Sequence, residues 1–153
     1  MSKGRPTKIF AIASGGGHWI QLLRLRPAFT GADTTYASVN LALAADVKGH
    51  RFYDFPDANR QQKISLLLQV LRIGWILLKV RPDVIVSTGA SCGYIAIRIG
   101  KLLGARTLFI DSIANAERLS LSGHMACRHA NLMLTQWSHL AAPEGPKYKG
   151  SVL

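Results

Sequence analysis

KIFAIASGGGH, residues 8–18, is an apolar run that stops at three consecutive glycines, and its reading decides the fold. A short apolar stretch closed by such a turn reads as a strand buried in a parallel sheet, here Lys8–Ser14. Behind the glycines, His18–Phe29 has helical spacing, which Pro27 kinks or ends because it lacks a backbone N–H. Further on, Asp33–Val39 reads as a second strand and Arg51–Phe55 as a weaker third, before a turn at Pro56-Asp57 and a long helix over Gln62–Val80. Pro82 opens the strand Asp83–Ser87 (DVIVS), and Thr88-Gly89 leads to a helix from about Cys92 to Leu103, with Gly104 placed to terminate it. Thr107–Ile110 and Asn131–Thr135 supply the remaining core strands, and the tail Lys147–Leu153 lies over an edge. Strands that alternate with helices imply an α/β fold, a Rossmann-like doubly wound parallel sheet. Residues 1–153 read as one domain, with no internal repeat, linker or low-complexity segment.

Composition fits that reading and narrows the partners. Hydrophobic residues are 48% of the chain and charged residues 18%, which excludes a disordered polypeptide. Nineteen Lys and Arg against eight Asp and Glu give a formal net charge of +11, a surface that attracts polyanions: nucleic acid, an anionic membrane face or diphosphate groups. The basic residues are scattered and aromatic interleaving is sparse, so no nucleic-acid partner is expected. The start, MSKGRPTK followed by IFAIAS, lacks the length and cleavage pattern of a signal peptide, and no segment offers about 20 uncharged apolar residues for a membrane span. With two cysteines, Cys92 and Cys127, the expectation is reduced thiols in the cytoplasm.

In a doubly wound sheet, ligands sit beyond the carboxyl ends of the strands, near the point where strand order reverses. Three loops are expected to meet there: Ser14–His18, Thr88–Gly93 and Asp111–Glu117. In the first, Ser14, Gly15, Gly16 and Gly17 let backbone N–H groups approach an anion closely, helped by the dipole of the following helix. The loop is a poor dinucleotide fingerprint: Ile20 stands where a small residue belongs, and the second strand ends at Asn40 without a ribose-binding carboxylate. A merely tight turn is the alternative. His18, at the positive end of a helix, is favoured in its neutral, basic form. Asp111 closes the fifth strand and could fix the imidazole tautomer, making the pair a candidate general base; the alternative is that His18 packs and Asp111 caps its own loop. Thr88, Gly89, Ala90 and Ser91 form a second small-residue turn that could present N–H groups to a diphosphate, or simply cap a helix through Ser91. Ser112 and Asn115 in the third loop complete the candidate substrate contacts.

The helix Ile64–Val80 has an unusually wide apolar face, since its polar residues Ser65, Gln69, Arg72 and Lys79 fall near a 3.6-residue repeat. One side can pack on the sheet; the rest meets a membrane surface or another subunit, for which Arg72, Trp75 and Lys79 are suited, or else the helix is buried in its own domain. His124-x-x-Cys127-x-His129 has metal-like spacing but no fourth ligand nearby, so no metal site is expected.

Taken in order, Ser14–His18 (SGGGH), Pro82–Gly89 (PDVIVSTG), Ile110–Ser112 (IDS), Leu119–Gly123 (LSLSG), Gln136-Trp137 and the Tyr148-Lys149-Gly150 tail resemble the PssD family of bacterial exopolysaccharide biosynthesis. That family is similar to the membrane-anchoring subunit of the eukaryotic transferase that adds the second GlcNAc to dolichol diphosphate. The resemblance implies the N-terminal, acceptor-side half of a GT-B glycosyltransferase, similar to the acceptor domain of MurG. It further implies a PssE-type partner carrying the UDP-sugar site and a polyprenyl-diphosphate-linked acceptor. It implies no cofactor beyond the UDP-sugar co-substrate, and peripheral contact with the inner face of the cell membrane. His18 and Asp111 match the base and the orienting carboxylate of inverting GT-B enzymes, although the family commonly has Glu where this chain has Asp111. A non-catalytic anchor that activates a separate catalytic subunit is the other role open to such a chain.

Overall fold

A strand that is apolar on both faces belongs in the middle of a sheet, and β1 (Lys8–Ile12) is there: Phe10 and Ile12 enter one core, Ile9 and Ala11 the other. The computed structural model describes residues 4–59 and 61–152. Met1–Lys3, part of the basic start, and Leu153, the end of the edge tail, lie outside the described residues. Around β1 are β2 (Asp33–Ser38), β3 (Arg51–Asp54), β4 (Val84–Ser87), β5 (Arg106–Ile110), β6 (Leu132–Thr135) and β7 (Lys147–Tyr148). They form one parallel sheet in the order β3-β2-β1-β4-β5-β6-β7. β1 pairs with both β2 and β4, so the order reverses between β1 and β4.

Helices cover both faces. α2 (Lys63–Val80), α3 (Ala90–Leu102) and α4 (Leu121–Cys127) contribute Ile73, Ile76, Leu77, Ile97 and Ala126 to the core that holds Phe10 and Phe109. On the opposite face α1 (Gly17–Arg24) brings Trp19 and Leu22 against Tyr36 and Val86. The helix expected to run to Phe29 ends earlier. Pro27 has no N–H to continue the ladder, and the chain tightens into a 3-10 turn over Arg26–Phe29. α3 begins at Ala90, two residues before the expected start, and Gly104 follows its end at φ 86°, the left-handed position expected of it.

Two local features fix how the elements meet. Gly93 lets α3 lie directly on β4, since a Cβ there would overlap Ser87 Oγ and stand 2.8 Å from Ser87 Cβ. Asp83 ties the starts of β1 and β4: its carboxylate accepts from Lys8 N at 2.9 Å and pairs with Arg5 at 2.8 Å. The Lys8 backbone hydrogen bond, and then the Arg5 guanidinium, hold that carboxyl below its usual range.

Candidate functional site

Because β1 and β4 are neighbours, the turn after each opens at one place, on either side of the strand-order reversal. Both turns run straight into helices whose first N–H groups have no side-chain cap: Gly16 (φ 65°) precedes α1 and Gly89 (φ 132°) precedes α3. Ala90 adopts φ 67°, a left-handed conformation uncommon for a residue with a Cβ. Ser91 therefore does not cap the helix but sits in its first turn. Two uncapped helix starts side by side concentrate N–H donors and positive dipole ends where an anion can reach them.

His18 stands between the turns and joins them. Its Nδ1 lies 2.9 Å from the Thr88 carbonyl, and the Thr88 hydroxyl donates back to the His18 carbonyl at 2.6 Å. A carbonyl only accepts, so Nδ1 carries the proton and Nε2 keeps its lone pair. The ring lies so close to Gly89 that a Cβ there would come 2.5 Å from Nδ1 and 2.6 Å from Cε1. His18 is half-buried, held on one edge with the other left for chemistry. Thr88, expected as a substrate contact, is fully buried and acts by positioning the imidazole instead.

Asp111 does not orient His18. Its carboxylate accepts from Ser120 Oγ at 2.6 Å, Ser120 N at 2.8 Å and Asn115 Nδ2 at 3.1 Å, and Ser120 in turn caps α4 through Gly123 N at 2.9 Å. The expected dyad fails for a simple reason: the loop after β5 folds back over the strand end and supplies the carboxylate with its own donors. Asn115 is consumed in the same network. Ser112, also expected to face substrate, is buried, accepts from Gln21 Nε2 at 3.1 Å and from Ala114 N at 3.2 Å, and holds the loop shape.

Gln21 and Gln136 lie outside the expected site residues, yet they brace the site. Gln21 Oε1 accepts from Gln136 Nε2 at 2.6 Å and from Ile113 N at 3.1 Å, linking α1 to the loop after β5. Gln136 also donates to the Asp111 carbonyl at 3.0 Å, and Trp137 Nε1 donates to the Ile113 carbonyl at 2.8 Å. The Gln-Trp pair thus earns its place in the motif set by anchoring that loop.

Between the two turns is a cleft of about 370 Å³, lined by Ser14 and Gly15 from the first turn, Ala90 and Ser91 from the second, and Asp57 and Gln69 from the β3–α2 side; His18 is outside that lining. Gly16 and Gly17 stay exposed with nothing near the position of a Cβ, so that stretch is open to a ligand. Cys92 also borders the cleft, but burial pushes its thiol up to about 12, which rules it out as a nucleophile near neutral pH. A larger concavity of about 640 Å³ lies at the other end of the sheet, around Arg81, Asp83, Gly104 and Arg106; the Asp83 carboxylate there is taken by Arg5 and Lys8 N, and the concavity faces the wrong strand ends. Among the described residues no group of three or more His, Cys, Asp or Glu could hold a metal; His129 of the metal-like cluster packs 2.8 Å from Arg98.

α2 shows why its sequence is apolar almost all round. Ile73, Ile76, Leu77 and Val80 face the sheet, while Ile64, Leu67, Leu68, Leu71, Trp75 and Leu78 are exposed. Burial within its own fold is thereby excluded for that second stripe. Arg72 and Lys79 lie over the Trp75 ring at 5.0 and 4.9 Å. Gln69 departs from the expected polar stripe: it points inward and is 1% exposed.

This architecture has counterparts among solved structures. MurG of Acinetobacter baumannii superposes with a TM-score of 0.77 at 11% identity, over 95% of this chain and 46% of that one. UDP-N-acetylglucosamine 2-epimerase from Rickettsia bellii gives 0.73 at 14% identity, over 97% and 46%. HepE of Anabaena, solved in complex with UDP, gives 0.63 at 13% identity, over 95% and 44%. The chain has the fold of one half of a GT-B glycosyltransferase. It spans less than half the length of these proteins. No protein-family model matches the chain, and no curated protein matches it.

Proposed function

We propose that this chain is the acceptor-side half of a two-component inverting glycosyltransferase, which moves a sugar from a UDP-sugar to a polyprenyl-diphosphate-linked saccharide in polysaccharide biosynthesis. The observation that carries the reading is the imidazole of His18, pinned through Nδ1 by the Thr88 carbonyl between two uncapped helix starts. Its free Nε2 takes the proton from an acceptor hydroxyl as that oxygen bonds to the anomeric carbon. The bond from that carbon to the UDP oxygen breaks on the opposite face, and UDP leaves with the electron pair. N–H groups at Ser14–Gly17 and Ala90–Ser91, within a chain of net charge +11, hold the acceptor diphosphate. The motif set resembling PssD supports a separate PssE-type chain as the source of the UDP-sugar site. The reading is tested by supplying UDP-sugars to membranes that contain this chain, the donor-side chain, or both. Label entering the lipid fraction only with both chains supports it; equal transfer without this chain refutes it.

The outward stripe of α2 also favours a second role, recruitment to the inner face of the membrane. No helix among the described residues is long and apolar enough to cross a bilayer, and the exposed stripe of α2 has the character of an interfacial surface. Arg72 and Lys79 flank Trp75 as a headgroup-binding pair would. At about 1 kcal/mol per basic residue near an anionic surface, replacing both by Ala is expected to weaken binding to phosphatidylserine-containing vesicles roughly 30-fold. Cosedimentation measures it, and equal binding by the variant, or none by the parent chain at low salt, removes this role from α2. If α2 recruits and the chain is only an anchor, His18 variants will change affinity for the partner rather than turnover.

A further inference from the structure

Gln69 is a buried glutamine with half of its amide unused. Its Nε2 donates to the Pro56 carbonyl at 2.9 Å, which fixes the orientation of the amide, because a carbonyl cannot accept from Oε1. Oε1 then has no hydrogen-bond partner among the described residues, although the side chain is 99% covered. Leaving such an acceptor unpaired is destabilising, because the water it lost on burial is not replaced. Buried hydroxyls on Thr34, Thr35 and Ser38 are likewise unpaired, but a hydroxyl can rotate toward a nearby acceptor, whereas the amide of Gln69 is anchored at its nitrogen. Gln69 also lines the cleft beside the glycine turn, and the other polar side chain on that wall is Asp57.

The two walls of the cleft therefore differ in sign. Ser14, Gly15 and the first turn of α3 offer N–H donors, which suit phosphate oxygens. Asp57 and Gln69 offer acceptors, which repel phosphate and suit hydroxyl or amide protons. We propose that Gln69 is a specificity-determining residue whose Oε1 accepts a hydrogen bond from a hydroxyl or amide N–H of the acceptor's sugar, next to its diphosphate. This rests on the acceptor-side reading above. Oε1 shows less than 1 Å² to solvent, so the cleft wall around Gln69 must shift before a hydroxyl or amide N–H can reach it.

The test is calorimetric binding of geranyl diphosphate, and of the same diphosphate bearing glucose, galactose or N-acetylglucosamine, to the 153-residue chain. In the parent chain at least one sugar adds affinity over geranyl diphosphate alone. Gln69→Met, close in size but without the acceptor, is expected to erase that gain, about fivefold for one hydrogen bond, and to leave geranyl diphosphate binding unchanged. Gln69→Glu supplies a second readout: a buried carboxyl in its protonated form donates to Pro56 and keeps one accepting oxygen. An accepting oxygen is present in either protonation state, so the sugar-dependent gain should persist across pH, while binding of all four diphosphates weakens as the carboxyl ionises. Equal weakening of all four ligands by Gln69→Met would show that Gln69 merely shapes the Pro56 turn, and an unchanged gain, or no gain from any sugar in the parent chain, would also overturn the proposal. Failure of geranyl diphosphate itself to bind the parent chain overturns the acceptor reading, and this inference with it.

Discussion

His18→Ala is expected to slow sugar transfer by about 10²–10⁴-fold, the range for loss of a positioned general base, while the donor-side chain still associates. The expectation follows from what holds the ring. The Thr88 carbonyl accepts from Nδ1–H, which leaves Nε2 as the basic atom at the meeting point of the two helix starts. Asp111→Asn serves as the control. A carboxylate that oriented the base would make this variant nearly as slow as His18→Ala. The observed contacts place Asp111 against Ser120 and Asn115, so the substitution should lower the melting temperature first and the rate only as far as the loop shifts. Steady-state rates and thermal unfolding on both variants decide it. Full activity in His18→Ala removes the base assignment, and a rate loss in Asp111→Asn equal to that of His18→Ala, without loss of stability, restores the carboxylate to the mechanism.

Sequence carried the fold further than it carried the site, for physical reasons. Apolar runs such as Phe10–Ile12 and Ile85–Val86 announce strands buried on both faces, and the glycines after β1 mark the turn into α1, because each is a local property of the chain. The wide apolar face of α2 was also visible, and the structure turns half of it outward. What stayed hidden depends on contacts across about 70 or more residues: the His18 bond to Thr88, and the Gln21 and Gln136 brace beneath the loop after β5. Asp111 illustrates the limit from the other side. A carboxylate at a strand end is a fair partner for a nearby imidazole, but its true partners, Ser120 and Asn115, lie in a loop whose return path no periodicity encodes. Gln69 belongs to the polar repeat of α2 yet is buried, since helical spacing alone cannot say which polar position of that repeat faces inward.

Gly89→Ala should be nearly as damaging as loss of the base itself, because it acts on the same ring from behind. The new Cβ would stand 2.5 Å from Nδ1 and 2.6 Å from Cε1 of His18, well inside van der Waals contact. The backbone there, at φ 132° and ψ −171°, is a region that residues with a Cβ rarely occupy. Relief requires the imidazole to swing away from Thr88, or the turn after β4 to move, and a misplacement of about 1 Å at a catalytic group costs on the order of 10²-fold in rate. The melting temperature should fall as well, since the strained turn alone costs about 1–3 kcal/mol. The variant becomes diagnostic in the His18→Ala background, where the ring that the methyl would strike is gone. There the backbone strain persists but the steric clash does not, so Gly89→Ala should cost less stability and almost no further rate. Coupling of this kind between two residues in contact is expected to exceed about 0.5 kcal/mol in a double-mutant cycle. Additive losses in both rate and stability would mean that the ring and the glycine act independently, and the imidazole would then not be held where the reaction needs it.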